Sequence, residues 1–329
     1  MDKTPQRKII SILNILHDAN RSLGGTKIAQ RLQEFGFDLS QRMVRNYLQK
    51  MDQDGLTLNL GKRGRKITAK GEEELKNAFV IEKLGFVASK IDSLTYQMSF
   101  SLRKLKGKII LNLSTIDKRY LTKAIQQIRL VFRAGLGMGR FVILGFPGSG
   151  LGSVNLEAGK VAIGTVCSVT INGILLKEGI HTTSRFGGLL ELVKGRPFRF
   201  TEIINYDGSS IDPLEIFIKG GMTSTRQAVL TGNGKIGASF REVPSIALSK
   251  VEKIRKKLDG IGLGGILMIG KPGRPLLNIP VSEGRVGMIV AGGLNPMAAV
   301  EESGIATENM ALSELFEFEL LIPFWELKA

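Results

Sequence analysis

The first 70 residues carry helical hydrophobic patterns followed by a strand pattern. Apolar residues recur every three or four positions over 7–18, 28–32 and 43–51, which predicts three short amphipathic helices. Positions 56–60 then alternate between apolar and polar residues as a strand does, and a glycine-bearing basic turn leads into a returning strand. This order predicts a winged helix-turn-helix domain over residues 1–70. The candidate N-cap residues of the three helices are Thr4, Thr26 and Ser40.

The polar face of the third helix and the tip of the hairpin have the chemistry of a DNA-binding surface. Arginine, glutamine and asparagine side chains read base edges in a major groove, and closely spaced cations contact phosphates. The alternative is a winged helix that contacts another protein, and the sequence leaves that alternative open. The candidate DNA-contacting residues are Ser40, Gln41, Arg42, Arg45, Asn46, Lys50, Lys62, Arg63, Arg65 and Lys66.

The positive charge of the chain is concentrated in its first 140 residues. Lys and Arg total 46 against 30 Asp and Glu, a formal net charge of +16. Residues 1–70 hold 14 basic and 6 acidic residues, residues 71–140 hold 13 and 6, and residues 141–329 hold 19 and 18. A basic head on a near-neutral body indicates a nucleic-acid-binding module joined to a second function, rather than an evenly solvated surface.

The composition also excludes several classes of protein. A single cysteine, Cys167, excludes an internal disulfide and a multi-cysteine zinc site, and 2 histidines offer little for a metal cluster. No stretch approaches the roughly 18 uncharged apolar residues of a membrane helix, and the chain does not start with the apolar run of a secretory signal. We therefore expect a cytoplasmic protein that needs no membrane and no cofactor.

The remaining residues are predicted to form a linking helix and a larger body. Residues 71–91 have a helical pattern and are expected to join the head to a regulatory domain over 92–329. Residues 109–113 alternate like a strand, and 121–132 have helical spacing. Alternation further upstream predicts that 109–113 pairs with a preceding strand that contains Leu94, Tyr96, Met98, Phe100 and Leu102.

The body repeats itself in sequence. The glycine-rich stretch 135–145 matches 260–270, and the offset of 125 positions persists through about 50 residues. We therefore predict an α+β fold, in which the winged helix precedes two similar α/β units, about 92–220 and 221–329, with a crevice suited to a ligand. Because the cluster at 135–139 lacks G-x-G-x-x-G spacing and recurs in the second unit, a turn between helix and strand is favoured over a nucleotide loop.

Several long motifs of the body resemble the archaeal NrpR family of nitrogen-regulatory repressors. The motifs are GTVCSVTING at 164–173, SRFGGLL at 184–190, YDGSSIDPLE at 206–215 and GRVGM at 284–288. The resemblance covers nearly the whole chain, with a winged-helix head and one regulatory domain. Some family members carry two regulatory domains and others lack the head, so this chain departs from both arrangements.

The resemblance implies a function that composition and spacing do not give. It implies a dimeric repressor that binds double-stranded operator DNA of nitrogen-assimilation and nitrogen-fixation genes. It also implies that 2-oxoglutarate, which accumulates under nitrogen limitation, is the effector that weakens DNA binding. Some family members act beside a second nitrogen-regulatory protein, so the resemblance also allows for such a partner here.

Two stretches of the near-neutral body place hydroxyl groups beside an arginine. An α-keto dicarboxylate needs cations, hydroxyl or backbone N–H donors and a cavity that excludes water. The alternative is that both stretches are loops whose Ser and Thr side chains cap helices. The candidate effector-binding residues are Thr182, Thr183, Ser184, Arg185, Thr223, Ser224 and Arg226.

Catalysis is the less favoured interpretation of the body. Asp207, Asp212 and Glu215 could perform acid–base work, but Asp-Gly and Asp-Pro are also turn signals. Cys167 lies in an apolar run, which favours a buried apolar role over that of a nucleophile. A small-molecule enzyme, or a protein adaptor whose winged helix serves only for localisation, remains the alternative function.

Overall fold

The chain forms two compact units, Met1–Leu84 and Gly85–Ala329. Helices and strands occur in both units, which confirms the predicted α+β class. Among the residues described, each helix is too short or too polar to span a bilayer. The computed structural model describes residues 5–19, 21–34, 37, 39–82, 86–148, 151 and 156–328.

The first unit is a winged helix. Its elements are α1 (Pro5–Ala19), α2 (Gly25–Glu34), α3 (Gln41–Gln53), β1 (Thr57–Asn59), β2 (Arg65–Ile67) and α4 (Ala69–Glu82). The predicted apolar faces of the first three helices meet in its core, whose fully buried residues include Leu13, Ile28, Leu32, Val44 and Leu48. The predicted order of three helices and a hairpin is therefore confirmed.

The predicted helix caps had different outcomes. The Ser40 hydroxyl accepts a hydrogen bond from the backbone N–H of Met43 at 3.3 Å and caps α3, as predicted. Thr26 is not a cap, because α2 begins one residue earlier, at Gly25. Thr4 lies outside the described residues.

The second unit packs helices against two five-stranded sheets. Its helices are α5 (Phe86–Gln97), α6 (Leu121–Arg133), α7 (Thr170–Lys177), α8 (Pro213–Lys219), α9 (Thr225–Thr231), α10 (Leu248–Ile261) and α11 (Asn295–Glu302). Its strands are β3 (Lys108–Asp117), β4 (Phe141–Gly145), β5 (Lys160–Val166), β6 (Thr183–Val193), β7 (Arg196–Asn205), β8 (Gly234–Pro244), β9 (Ile266–Ile269), β10 (Arg285–Ala291), β11 (Glu308–Glu317) and β12 (Ile322–Pro323).

The structure confirms the internal duplication. The run β3-α6-β4-β5-α7-β6 is followed by the equivalent run β8-α10-β9-β10-α11-β11, and β5 and β10 begin 125 positions apart. Equivalent side chains make equivalent contacts. Thr170 Oγ1 accepts the Ile110 N–H at 3.3 Å, and Asn295 Oδ1 accepts the Gly237 N–H at 2.9 Å.

Each repeat gives its last strand to the other repeat's sheet. One sheet has the order β11-β3-β5-β4-β12 and the other has the order β7-β6-β8-β10-β9. Strand β6 pairs with β8, for example Gly187 with Ser239, and β11 pairs with β3. Each sheet therefore takes strands from both of the predicted units, 92–220 and 221–329.

The predicted strand through Leu94 and Tyr96 is wrong. These residues lie in α5, which buries Val87 and Ile91 and leaves Tyr96 83% exposed. The same segment also has apolar residues at helical spacing: Val87, Ile91, Leu94 and Met98. Burial of this helical face outweighs the strand-like alternation of apolar and polar residues. The expected linking helix over 71–91 covers most of α4 and the start of α5, and residues 83–85 between them lie outside the described part.

The repeated glycines form turns, as predicted. Gly135 and Gly139 follow α6 with φ of 69°, and Gly262 follows α10 with φ of 81°, a region that favours glycine. The two clusters meet, since the Gly139 N–H donates to the Gly264 carbonyl at 2.5 Å. They line a shallow cavity of about 210 Å³, to which no predicted effector residue contributes.

Candidate nucleic-acid interface and effector site

Helix α3 presents a polar face opposite its buried face. Val44, Leu48 and Met51 are buried, because the 3.6-residue period turns them toward the core of the first unit. The predicted base-reading side chains lie on the other side and are all exposed: Gln41, Arg42, Arg45, Asn46 and Lys50. This is the arrangement that a helix needs to enter a major groove.

The wing (residues 57–67) places cations at its tip. Strands β1 and β2 pair antiparallel, and Leu60 N–H donates to the Gly64 carbonyl at 2.8 Å to close the turn. Lys62, Arg63 and Lys66 are exposed, and none forms an ion pair with a described residue. Their side chains are available for phosphate oxygens.

Arg65 differs from the other predicted wing cations. Its Nε donates to the Asp52 carboxylate at 2.9 Å, and both side chains are largely buried. Asp52 also accepts the Thr57 hydroxyl at 2.6 Å. Arg65 therefore joins the wing to the end of α3, a role that the spacing of basic residues could not reveal.

The first predicted effector stretch lines a cavity. Thr182, Thr183 and Ser184 border a cavity of about 200 Å³, together with Ala88, Ile91, Asp92, His181 and Tyr206. Thr182 Oγ1 is buried and has no hydrogen-bond partner among the described residues. A ligand with acceptor oxygens would satisfy it.

Arg185 does not share this cavity with its neighbours. Its guanidinium pairs with Glu242 at 2.5 Å, and the Glu242 side chain is only 2% exposed. Burial favours protonation of Glu242, but hydrogen bonds from Ser282 and Arg185 outweigh it and lower the pKa of this carboxyl. Arg185, which the sequence predicts to bind the effector, therefore forms an ion pair with a carboxylate of the chain itself.

A buried guanidinium lies behind this cavity instead. Arg241 is fully buried and donates to the Ser168 carbonyl at 2.8 Å and to Asn172 Oδ1 at 2.6 Å. Asn172 in turn donates to the Ser184 hydroxyl at 2.9 Å, so the network reaches the cavity wall. Burial lowers the pKa of Arg241, while Tyr206 on the same wall raises it.

No described group that accepts a hydrogen bond from Arg241 carries a negative charge. All the described acceptors are neutral oxygens of Ser168 and Asn172, and Arg241 Nε has no described partner. A buried charge is costly without a counter-charge, and the buried Asp212 carboxylate acts on Arg241 electrostatically without a hydrogen bond to it. An anion in the cavity would add to that compensation. Sequence reasoning missed Arg241. Strand β8 also contains Lys235 and Glu242, so the sequence pattern does not set Arg241 apart from its neighbours.

The second predicted effector stretch holds a carboxylate of the chain itself. Glu302 accepts hydrogen bonds from the Thr223 hydroxyl at 2.7 Å and from the backbone N–H groups of Thr225 and Arg226 at 2.8 Å each. Ser224 precedes α9 without a capping side-chain bond to it. The Glu302 carboxylate therefore takes up the hydroxyl and backbone N–H donors of this stretch, while the Arg226 guanidinium donates to Gln127 Oε1 at 3.0 Å.

The other residues considered in the sequence analysis are hydrogen-bonded to, or buried among, groups of the chain itself. Asp212 caps α8 by accepting the Leu214 N–H at 2.9 Å, and Glu215 accepts the Ala311 N–H. Burial raises the pKa of Asp212 to about 6 and that of Glu215 to about 7. Cys167 is buried, and desolvation raises its pKa to about 12, which suppresses the reactive thiolate. His17 Nδ1 lies 2.7 Å from the Glu72 carboxylate.

Two family models match the two units. Residues 84–322 match NrpR regulatory domains NRD1 and 2, and residues 10–75 match the ribonuclease R winged-helix domain. The chain is also similar to a crystal structure of a nitrogen repressor-like protein from Methanococcus jannaschii. That comparison has a TM-score of 0.62 and 30% identity and covers 72% of this chain and 98% of the other.

Two curated relatives resemble the chain in sequence. It is 35% identical to the global nitrogen regulator NrpRI of Methanosarcina mazei, over 98% of this chain and 99% of that protein. It is 31% identical to the global nitrogen regulator NrpR of Methanococcus maripaludis over 93% of this chain, but spans only 53% of that longer protein. With a regulatory-domain match across most of its length and a relative aligned nearly end to end, the chain belongs to the NrpR family.

Proposed function

We propose that this chain is a transcriptional repressor of nitrogen-assimilation and nitrogen-fixation genes. It binds operator DNA as a homodimer and is released by 2-oxoglutarate. The observation that carries the proposal is the polar, cationic face of α3 on a winged helix, in a chain whose relatives are named global nitrogen regulators. The same names favour a regulator over an enzyme.

In the proposed complex, α3 reads bases and the wing contacts the backbone. Arg45 and Asn46 extend from the exposed side of α3, where arginine can pair with guanine and asparagine with adenine. Lys62 and Arg63 neutralise phosphates. Two copies related by a twofold axis would contact two half-sites, which fits a palindromic operator.

The cavity beside Thr182 is the proposed effector site. At about 200 Å³ it is smaller than a drug-sized pocket, which starts at about 300 Å³, and it suits a five-carbon acid. Thr182 and Ser184 supply hydroxyl donors, and Arg241 supplies positive charge from behind the wall. Thr223 and Arg226 are the weaker candidates, because the Thr223 hydroxyl and the Arg226 backbone N–H already donate to the Glu302 carboxylate and the Arg226 guanidinium donates to Gln127.

Release from DNA requires that the effector favour one arrangement of the dimer. 2-Oxoglutarate must bind more tightly to the arrangement in which the two winged helices do not match the half-sites. By reciprocity, operator DNA must weaken 2-oxoglutarate binding by the same factor.

A gel-shift titration tests the proposal directly. The full chain is expected to retard a duplex from a nitrogen-gene promoter, and added 2-oxoglutarate should reduce the bound fraction. Glutarate, which has the same five-carbon chain but lacks the keto group, is the matched control. Arg45→Ala should weaken binding by about 1–3 kcal/mol. Binding that no 2-oxoglutarate concentration alters would contradict effector release and favour control by a second regulatory protein.

A further inference from the structure

The connection between α5 and β3 is a second cationic turn that the winged helix does not include. Four basic residues lie within six positions of this turn, called the basic turn (residues 101–108): Arg103, Lys104, Lys106 and Lys108. We propose that the basic turn is a second contact point for the phosphate backbone of DNA. This inference rests on the proposed function.

The basic turn is well ordered by its hydrogen bonds. Ser101 N–H donates to the Lys106 carbonyl at 2.9 Å, and the Leu105 N–H donates back to the Ser101 carbonyl at 2.8 Å. Leu105 adopts φ of 53° at the tip. The preceding Phe100 is 1% exposed and donates its N–H to the Lys108 carbonyl at 3.0 Å. A turn held in this way loses little conformational entropy when it binds.

Three of the four cations of the basic turn lack acidic neighbours. All four are exposed, and none forms an ion pair with a residue in the described ranges. Glu319 accepts the Gly107 N–H at 3.1 Å, and Glu317 lies opposite Lys108 in the pairing of β11 with β3. The uncompensated charge is therefore that of Arg103, Lys104 and Lys106, a density that condenses counter-ions or polyanions.

Another cationic segment of the same unit provides a contrast. Helix α10 carries Lys253, Lys256 and Lys257, but its charges are mixed, with Glu252 on the helix and Asp259 3.9 Å from Arg255. This is the pattern of an ordinary solvated helix. The basic turn instead resembles the wing, in which cations also surround a tight turn with positive φ.

A phosphate backbone suits the basic turn better than an acidic protein does. The one large apolar side chain exposed at its tip is Leu105, at 39%. A specific protein interface needs an apolar core of several side chains, whereas phosphate contacts need only positioned cations and hydrogen-bond donors.

The salt dependence of DNA binding tests this inference on the full chain. The triple variant Arg103→Ala, Lys104→Ala, Lys106→Ala is compared with Lys253→Ala, Lys256→Ala, Lys257→Ala, which removes the same charge from α10. Affinity for a promoter duplex with long flanks is measured over a series of salt concentrations. Loss of each phosphate contact should reduce the slope of log K against log salt by about 0.9, so up to about 2.7 for the triple variant.

The outcomes separate this inference from the proposed function. A reduced slope for the basic-turn variant, with an unchanged slope for the α10 variant, supports the inference. Equal slopes for both variants overturn it, because the effect is then one of net charge alone. Lys62→Ala with Arg63→Ala serves as the reference: if this wing variant also leaves the slope unchanged, the proposed DNA-binding function itself fails. Thermal unfolding checks that each variant is folded.

Discussion

The carboxylate of Glu302 accepts the backbone N–H of Arg226 at 2.8 Å. This contact joins the end of α11 to the start of α9, and it occurs in a stretch whose residue types suggest an effector site. The first backbone N–H groups of a helix need acceptors from outside the helix. Here the Glu302 carboxylate supplies them and also accepts the Thr223 hydroxyl.

Glu302→Ala is therefore expected to destabilise the second unit. Three hydrogen bonds to a charged acceptor are lost, and the cost should be about 1–3 kcal/mol. Glu252→Ala, an exposed glutamate on α10, is the matched control and should cost under about 0.5 kcal/mol. Urea unfolding followed by circular dichroism measures both values, and equal midpoints would refute the capping role.

Arg185→Ala should leave a buried carboxylate without its partner. Glu242 is 2% exposed, but Arg185 is 37% exposed and the Ser282 N–H still donates to Glu242, so we expect a loss of about 1–3 kcal/mol. Arg199→Ala removes the partner of Glu191, but Arg199 is 60% exposed, so this variant should cost under about 1 kcal/mol. Since Glu242 has a lowered pKa, the contribution of its pair is fully present above the unfolded pKa and is lost as the pH falls through the lower folded pKa. Denaturation across that acidic range tests both statements.

Ser184→Ala should weaken 2-oxoglutarate binding. It removes one donor from the cavity wall and breaks the contact between Asn172 and the wall, which should raise Kd about 10-fold. Thr223→Val alters the competing stretch and should leave Kd unchanged. Calorimetric titration of the full chain compares the two variants, and the reverse order of effects would move the effector site to the α9 stretch.

The stability of the second unit should decrease as the pH rises toward neutrality. Burial raises the pKa of Glu215 to about 7 and that of Asp212 to about 6, so the folded state binds protons that the unfolded state has released. These two groups therefore contribute stability at acidic pH that is lost as the pH rises through 6 and 7.

Glu215→Gln tests this pH dependence because glutamine stays neutral. Above pH 7 the variant should match or exceed the parent chain in unfolding free energy, by about 1–2 kcal/mol once screening by water is allowed for. Glu252→Gln should follow the parent curve. A parent curve that is flat between pH 5 and 8 would contradict the assignment.

The sequence determined the features that depend on nearby residues. Ser40 caps α3 as its position before the apolar period predicts, and the duplicated glycines form turns because their left-handed backbone is a local property. The constant offset between repeats indicated the duplication, since equal spacing along a chain needs no tertiary information. Most of the fold class followed from these local signals.

Only the tertiary structure decided which distant groups meet. Strand β6 leaves its own repeat to pair with β8, because sheet pairing is satisfied by whichever edge the chain brings close. The same uncertainty governs the site. The Arg185 guanidinium pairs with the Glu242 carboxylate and that of Arg226 donates to Gln127, while Arg241, which no motif singled out, lies behind the cavity. Residue type gives a side chain its chemistry, but its partner is set by contacts between residues far apart in the chain.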